Sequence, residues 1–269
     1  MLGAHPDVIV YETGGNLGYA AGVNAAARAA SDAESLLVLN ADLRVEPGCI
    51  EKLRKRQQLV GAGVVVPRIV DAAGNTYTSL RYEPSLIRAL GDAAFGGRWA
   101  SRPSLLSEIE RRQSAYEEAH MVDWATGAAL LIDREVANRV GDWDERFFLY
   151  SEETDFLRRV RQTGSTVWYE PDAVVQHSQG GSGSSVELDI LLTVNRIRYA
   201  AKYGGPLTAT LTRAAVALHE LARSAQPAHR AALRTVLSKS AWESLPRASR
   251  RVSDGAYRVG SGSDHCSGP

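Results

Sequence analysis

The sequence is poor in cysteine: Cys49 and Cys266 are the only two among 269 residues. Two isolated cysteines provide neither a disulfide framework nor the paired spacing of a zinc site, and this usage suits a reducing cytoplasm. The formal net charge is zero, with 31 basic and 31 acidic residues. No overall field attracts a polyanion, so we expect no nucleic-acid partner.

Long apolar runs are absent as well. No stretch approaches the roughly 18 apolar residues of a membrane-spanning helix, and the N-terminus lacks the charged start and apolar core of a secretory signal. We therefore expect a cytoplasmic protein, with peripheral contact at the inner face of the plasma membrane left open. The chain is 44% hydrophobic, which suffices for one large domain with an extension.

Short β-branched runs alternate with helical patterns in the first third of the chain. Strands are predicted over residues 8–11, 36–39 and 63–70, and helices over residues 16–30 and 46–58. This β-α-β-α-β order predicts the α/β class, with a mainly parallel sheet flanked by helices. Ligands of such sheets bind beyond the carboxyl ends of the strands.

The rest of the chain is mixed. The patterns predict, in order, these elements: a charged helix near residues 105–118, a strand over 126–133, a helix over 134–140, a strand over 166–177 interrupted at Pro171, a glycine-serine loop over 179–185, and helices from 186 to about 240. We expect a domain over residues 1–185, a basic helical extension over 186–245 and a disordered tail over 246–269.

The extension is strongly basic. Between Asn195 and Arg251 there are eleven Lys and Arg residues against two Glu. Two interpretations are open: a basic face that rests on anionic lipid, or a helical extension that packs on the domain and leaves its charges in water.

Three carboxylates follow the apolar run at residues 147–150: Glu152, Glu153 and Asp155. One interpretation is an ordinary helix start, with Ser151 as N-cap and the acids at the positive end of the helix dipole. The other is a catalytic acid cluster at the mouth of a sugar-binding cleft.

Two further residues follow or end predicted strands. Asp42, preceded by Asn40, lies just after a strand and could hold a divalent cation that a diphosphate also binds; ordinary turn chemistry is the alternative. His177 ends a strand, where a neutral imidazole could complete a Mg²⁺ or Mn²⁺ site, or only make surface hydrogen bonds.

Glycine-rich and aromatic segments complete the candidates. The glycines of residues 14–24 place backbone amides where they could approach a phosphate, but their spacing differs from the dinucleotide fingerprint. Trp124 and Gly127 could border a sugar, or be a buried tryptophan and a packing glycine.

The order of these motifs is more specific than any one of them. It runs through residues 16–24 (NLGYAAGVN), 39–42 (LNAD), 124–128 (WATGA), 141–155 (GDWDERFFLYSEETD) and 177–180 (HSQG). Over residues 8–203 this series resembles family-2 glycosyltransferases of the GT-A fold, most of all the rhamnosyltransferase type that builds cell-wall and surface polysaccharides.

The resemblance implies a role for each matched residue. Asp42 and His177 would hold Mg²⁺ or Mn²⁺, and Glu152 and Glu153 match a Glu-Asp motif whose second carboxylate is the base. Asp155 would be a structural or acceptor-side carboxylate. Substrate binding would involve these residues: Asn16, Gly18, Asn40, Trp124, Thr126 and Gly127.

The resemblance also implies the reaction. It would be the inverting, metal-dependent transfer of a sugar, with rhamnose a candidate, from a nucleotide-sugar to a polyprenyl-linked or glycan acceptor in cell-envelope synthesis. Two departures from the family pattern matter. We expect the chain to lack the family's first β-α-β portion, which leaves an impaired remnant with a structural or sugar-binding role as the alternative. Glu153 stands where Asp is usual, so either glutamate could be the base.

Overall fold

The computed structural model describes residues 8–96, 99, 102–177 and 185–247. The α-helices are α1 (Tyr19–Ala29), α2 (Cys49–Val60), α3 (Leu86–Phe95), α4 (Arg134–Val140), α5 (Glu152–Gln162), α6 (Val186–Ala222) and α7 (Pro227–Leu237). The strands are β1 (Ser35–Leu39), β2 (Leu43–Val45), β3 (Val64–Val70), β4 (Leu80–Arg81), β5 (His120–Met121), β6 (Trp124–Ala125), β7 (Ala129–Asp133) and β8 (Val167–His177).

The main sheet has the order β1-β7-β3-β8-β2, with β5 also pairing with β8. The α/β class is confirmed, but the sheet is mixed rather than mainly parallel. Strands β3 and β8 are parallel, whereas β7 lies antiparallel between β1 and β3, and β2 is antiparallel to β8. Strands β1, β3 and β8 nevertheless run in the same direction, because β1 and β3 are each antiparallel to β7 and β8 is parallel to β3.

Helices cover both faces of this sheet. Because side chains alternate along a strand, Val64 and Val66 of β3 pack in the core that includes Phe156 of α5. Val65, between them, packs in a second core with Leu53 of α2. The two cores leave the ends of β1 and β8, with the turns that follow them, available for a site.

Three local predictions were wrong. Residues 8–11 form no strand, and Val8 and Ile9 are more than half exposed. Residues 105–118 contain 3-10 turns rather than a charged helix, and Tyr116 donates from its hydroxyl to the Glu110 carbonyl in place of regular helical bonding. Strand β8 continues through Pro171. Its pairing with β3 passes from Glu170, opposite Pro67, to Val174, opposite Arg68, so residues 171–173 form a bulge in the strand.

The predicted C-terminal helices are present. Helix α6 is interrupted at Gly205, whose φ of 73° and ψ of −173° are not helical, directly before Pro206. Most of the predicted glycine-serine loop, and the predicted tail beyond residue 247, lie outside the described residues. The division at residues 185 and 186, where α6 begins, stays a prediction. In the described part of the chain, no helix is both long and apolar enough to span a membrane.

Helix α6 docks on the α/β domain through charged groups. Arg196 bonds Glu108 at 2.7 Å and Asp92 at 3.2 Å, and Tyr199 donates to Glu83 at 2.5 Å. Arg196, one of the basic residues of the extension, is therefore paired with carboxylates within the chain.

Candidate functional site

The turn before α5 has an uncommon backbone. Tyr150 and Ser151 both have positive φ angles, 69° and 72°, although neither is glycine. Each such residue costs on the order of 1–3 kcal/mol and persists where its surroundings hold it. Asn195 of α6 is fully buried and donates from Nδ2 to the carbonyls of Leu149 and Tyr150, both at 2.9 Å. Helix α6 thus supports the turn that begins α5.

Ser151 occupies the predicted N-cap position, but its side chain makes no capping hydrogen bond. Capping normally needs an extended backbone at this residue, and the left-handed conformation of Ser151 differs from it. The start of α5 is therefore set by the supported turn rather than by a serine cap.

The first turn of α5 carries Glu152 and Glu153. Glu152 is 3% exposed, Glu153 is partly buried, and Oε2 of each is shielded from solvent without a hydrogen-bond partner among the described residues. Burial, and then the charge of Glu153, raises the pKa of Glu152 well above its ordinary value. Burial also raises the pKa of Glu153. In such a pair one carboxyl can keep a proton while the other is ionised.

Gly127 makes room for Glu153. A Cβ at position 127 would lie 3.3 Å from Cβ and 3.6 Å from Cγ of Glu153, and 3.7 Å from the Tyr19 ring. Tyr19 donates from its hydroxyl to the Gly127 carbonyl at 2.7 Å. Burial, followed by the charges of Glu153 and Glu152, raises the pKa of Tyr19 far above its ordinary value. The phenol therefore stays neutral and fixes the backbone beside Glu153.

The glycine-rich segment meets the same turn. At Gly18, where φ is 90°, a Cβ would lie 2.3 Å from the Phe148 carbonyl oxygen, so a side chain cannot fit. The next residue, Tyr19, donates its N–H to that carbonyl at 2.8 Å. Asn16 is exposed and accepts from the Gly18 N–H at 3.2 Å. The structure therefore brings residues 16–19 against the turn that precedes α5.

Asp42 and His177 lie side by side. The pairing of β2 with β8 sets Leu43, next to Asp42, opposite His177. Nε2 of His177 lies 3.1 Å from Oδ2 of Asp42, yet it has no hydrogen bond of acceptable geometry among the described residues. Two adjacent ligands of an octahedral ion with bonds of about 2.1 Å are about 3 Å apart. The pair fits two ligands of a divalent cation.

The backbone links this pair to the glutamates. Asn40 donates its N–H to the Ala128 carbonyl at 2.9 Å, and Gly127, the neighbour of Ala128, contacts Glu153. Thr126 donates its N–H to the Ser79 carbonyl at 3.1 Å, while its Oγ1 is shielded without a partner among the described residues. The segment at residues 124–128 therefore lies between the candidate metal ligands and the candidate base.

Two predicted site residues have structural contacts. Asp155 is fully buried and binds Arg159 at 2.9 Å, Tyr203 at 2.7 Å and Lys202, which favours its structural role over an acceptor-side one. Trp124 is 7% exposed, packs in the core and donates from Nε1 to the Tyr82 carbonyl at 2.9 Å. The ring of Trp124 is thus buried in the core and has no exposed face on which a sugar could stack.

Sequence reasoning missed Tyr19 and Asn195. Tyr19 lies inside the glycine-rich motif, so its position was visible although its contact with Gly127 was not. Asn195 follows the turn that it supports by more than forty positions, and no local pattern marks it.

The chain is similar to known glycosyltransferases. Residues 2–131 match the family described as Glycosyl transferase family 2. The N-acetylglucosaminyl-diphospho-decaprenol L-rhamnosyltransferase of Mycobacterium tuberculosis is 33% identical over 189 residues, which cover 66% of this chain and 61% of that protein. The low-salt glycan biosynthesis hexosyltransferase Agl10 of Haloferax volcanii is 30% identical over 163 residues, covering 59% of this chain and 48% of that protein.

A crystal structure of GalNAc-T7 with UDP, GalNAc and Mn²⁺ is a more distant neighbour. It has a TM-score of 0.44 and 16% identity, and the match covers 69% of this chain and 37% of that chain. This chain spans at most 61% of the length of the two relatives named above. Residues 2–131 thus match a glycosyltransferase family 2 domain, and over 189 residues the chain is similar to a rhamnosyltransferase.

Proposed function

We propose that this protein transfers a sugar, with rhamnose as the candidate, from a nucleotide-sugar to a lipid-linked or polysaccharide acceptor, with inversion at the anomeric carbon. One observation carries the proposal: Oε2 of Glu153 is shielded from water and has no partner among the described residues. An unpaired buried carboxylate oxygen is costly unless a ligand uses it. An acceptor hydroxyl is the hydrogen-bond donor that the family reaction supplies.

We propose a single displacement at the anomeric carbon. The acceptor hydroxyl gives its proton to Glu153 while its oxygen bonds to the anomeric carbon, and the bond from that carbon to the diphosphate breaks. Burial and the charge of Glu153 raise the pKa of Glu152 well above its ordinary value, and we propose that Glu152 is the carboxyl that keeps a proton while Glu153 acts as the base. Gly127 and Tyr19 fix the backbone against which Glu153 lies.

Asp42 and His177 are the proposed ligands of Mg²⁺ or Mn²⁺. Carboxylate oxygen and imidazole nitrogen are acceptable donors for these ions, and phosphate oxygens and water would fill the other positions. A cation held by these residues would neutralise charge on the departing diphosphate. Asn16, Gly18 and Asn40 are proposed to lie beside the donor.

The proposed acceptor is linked to a lipid. The name of the mycobacterial relative specifies a diphospho-decaprenol acceptor, and we extend that class to this chain as a proposal. Leu207, Leu211 and Leu218 of α6 are exposed on a helix that also carries basic residues. Such a surface suits peripheral contact with anionic lipid at the inner membrane face.

A transfer assay tests the proposal. The protein is incubated with Mn²⁺, labelled dTDP-rhamnose and N-acetylglucosaminyl-diphospho-polyprenol in detergent, and the lipid product is analysed for label and anomeric configuration. We expect labelled lipid whose anomer is opposite to that of the donor. Binding of nucleoside diphosphate without transfer to any acceptor would instead favour a sugar-binding remnant.

A further inference from the structure

A second group of potential metal ligands lies where the end of α6 packs against α7. It consists of His219 and Glu220, in the last turn of α6, and His229 of α7. One ligand atom from each of the three side chains lies within 4.8 Å of the other two. Nδ1 of His229 is 2.7 Å from Oε2 of Glu220, whose side chain is 7% exposed. This group is separate from His177, at the end of β8, and from Asp42, which directly precedes β2.

A backbone contact orients one of the imidazoles. Nδ1 of His219 lies 3.2 Å from the carbonyl oxygen of Asp92 in α3. Histidines that bind metals commonly donate their second ring N–H to a carbonyl, which fixes the tautomer and the ring orientation. With Nδ1 as the donor, Nε2 of His219 is the nitrogen that can bind a metal.

The three side chains line a cavity of about 330 Å³. Arg196 also lines it, and its guanidinium is engaged by Asp92 and Glu108. The cavity therefore has space for an ion and its water, and the Arg196 side chain that lines it is already paired with carboxylates.

We propose that His219, Glu220 and His229 bind Zn²⁺, with water as the fourth ligand. Two imidazole nitrogens and one carboxylate oxygen are a ligand set that tetrahedral Zn²⁺ accepts, whereas Mg²⁺ prefers oxygen ligands alone. Zinc bonds of about 2.0–2.1 Å place neighbouring ligands about 3.3 Å apart. The three atoms, which lie within 4.8 Å of one another, would move to that distance when the ion binds.

The bound ion would join three helices. It would connect α7 to the end of α6 directly, and α3 through the contact of His219 with the Asp92 carbonyl. Zinc would thus stabilise the packing of the C-terminal helices. This site does not depend on the glycosyltransferase reaction, so failure of either proposal leaves the other intact.

Metal content and thermal unfolding test the site. The full chain is stripped with a chelator, dialysed against ZnCl₂ and analysed by elemental mass spectrometry, in an Asp42→Asn background that removes the other candidate site. We expect about one Zn²⁺ per chain, and a Tm increase of about 5–10 °C at a hundredfold excess over Kd. MgCl₂ should give no comparable increase.

Variants assign the ligands. Glu220→Gln retains the size of the side chain and a hydrogen-bonding oxygen, so it should fold while binding Zn²⁺ at least tenfold more weakly. His229→Ala should abolish the zinc-dependent rise in Tm. His120→Ala is the matched control, because His120 also contacts a backbone carbonyl but lies on β5. Zinc binding that is absent in the parent, or unchanged in His229→Ala, would show that His229 and Glu220 form only a hydrogen-bonded pair.

Discussion

Asn195 of α6 donates to the carbonyl of Tyr150, a non-glycine residue whose φ is 69°. The same amide nitrogen bonds the Leu149 carbonyl, and Arg198 donates to the Asn195 side-chain oxygen at 2.9 Å. The amide is therefore fixed at both ends. A residue of the C-terminal extension holds the strained turn that precedes both glutamates.

Asn195→Ala should damage both stability and catalysis. Each buried carbonyl that loses its donor costs about 1–3 kcal/mol, so the free energy of unfolding in urea should decrease measurably. Relaxation of the turn would move Glu153, and a displacement of about 1 Å can cost about 10² in rate. We expect kcat to fall while the KM for the donor changes little.

Val236→Ala is the control for this prediction. Val236 of α7 is fully buried where α7 packs against α6. Its truncation to alanine therefore also lowers stability, but it does not touch the turn before α5. If both variants lost kcat in proportion to their lost stability, Asn195 would have no specific positioning role.

Glu153→Gln tests the base. The amide cannot accept the acceptor proton, so kcat should fall about 10² to 10⁴-fold. Titration calorimetry with nucleoside diphosphate and Mn²⁺ should show nearly unchanged affinity. Glu135→Gln, on the exposed side of α4, controls for the substitution itself. A larger loss of kcat in Glu152→Gln than in Glu153→Gln would indicate that Glu152 is the base.

Local elements were largely predictable from sequence. The strand over residues 36–39 and the helix over 134–140 were found because apolar periodicity and caps act over a few residues. The direction of β7 could not be predicted in this way. Strand β7 lies antiparallel between β1 and β3, and this pairing depends on chain segments that are far apart in sequence. The three-residue strand β2 is too short to give a periodic signal.

The site was predictable as a set of motifs but not as a geometry. The proximity of Asp42 to His177 follows from the pairing of β2 with β8, which no local pattern encodes. Trp124 shows the opposite problem, because a tryptophan next to glycine has the same sequence whether it faces a sugar or the core. Only the packing of the folded chain distinguishes a sugar-facing tryptophan from a core tryptophan, and Trp124 packs in the core.

Glu152 should make stability depend on pH. Its pKa is raised in the folded protein, so the folded state favours the protonated form. The stability it contributes is complete below the unfolded pKa of about 4.3 and is lost as pH rises toward the folded pKa. Glu152→Gln, which cannot ionise, should therefore unfold at higher urea concentration than the parent at pH 7. The difference should shrink at pH 4, and a difference independent of pH would contradict the burial of a titrating carboxyl.

The pair of Asp42 and His177 should determine the metal requirement. Asp42→Asn retains the shape but removes the charge, so a higher Mn²⁺ concentration should be needed for half-maximal activity. His177→Ala should shift the same curve in the same direction, and the double variant should lose less than the sum of the two single losses because both act on one ion. Fully additive losses would indicate that the two residues serve separate functions. Asp32→Asn, in the exposed turn that precedes β1, is the control.

Gly127→Ala should reduce turnover through crowding. Its Cβ would lie 3.3 Å from Cβ of Glu153, so one of the two must move by a few tenths of an ångström. The conformation of Gly127 does not require glycine, since its φ is not positive, and folding should be preserved. We expect kcat to fall about tenfold or more while the Tm stays within a few degrees of the parent. Gly22→Ala is the matched control, because a Cβ there meets no atom within 4 Å and alanine favours helix α1. Equal activity of the two alanine variants would show that the position of Glu153 does not limit turnover, which would argue against its role as base.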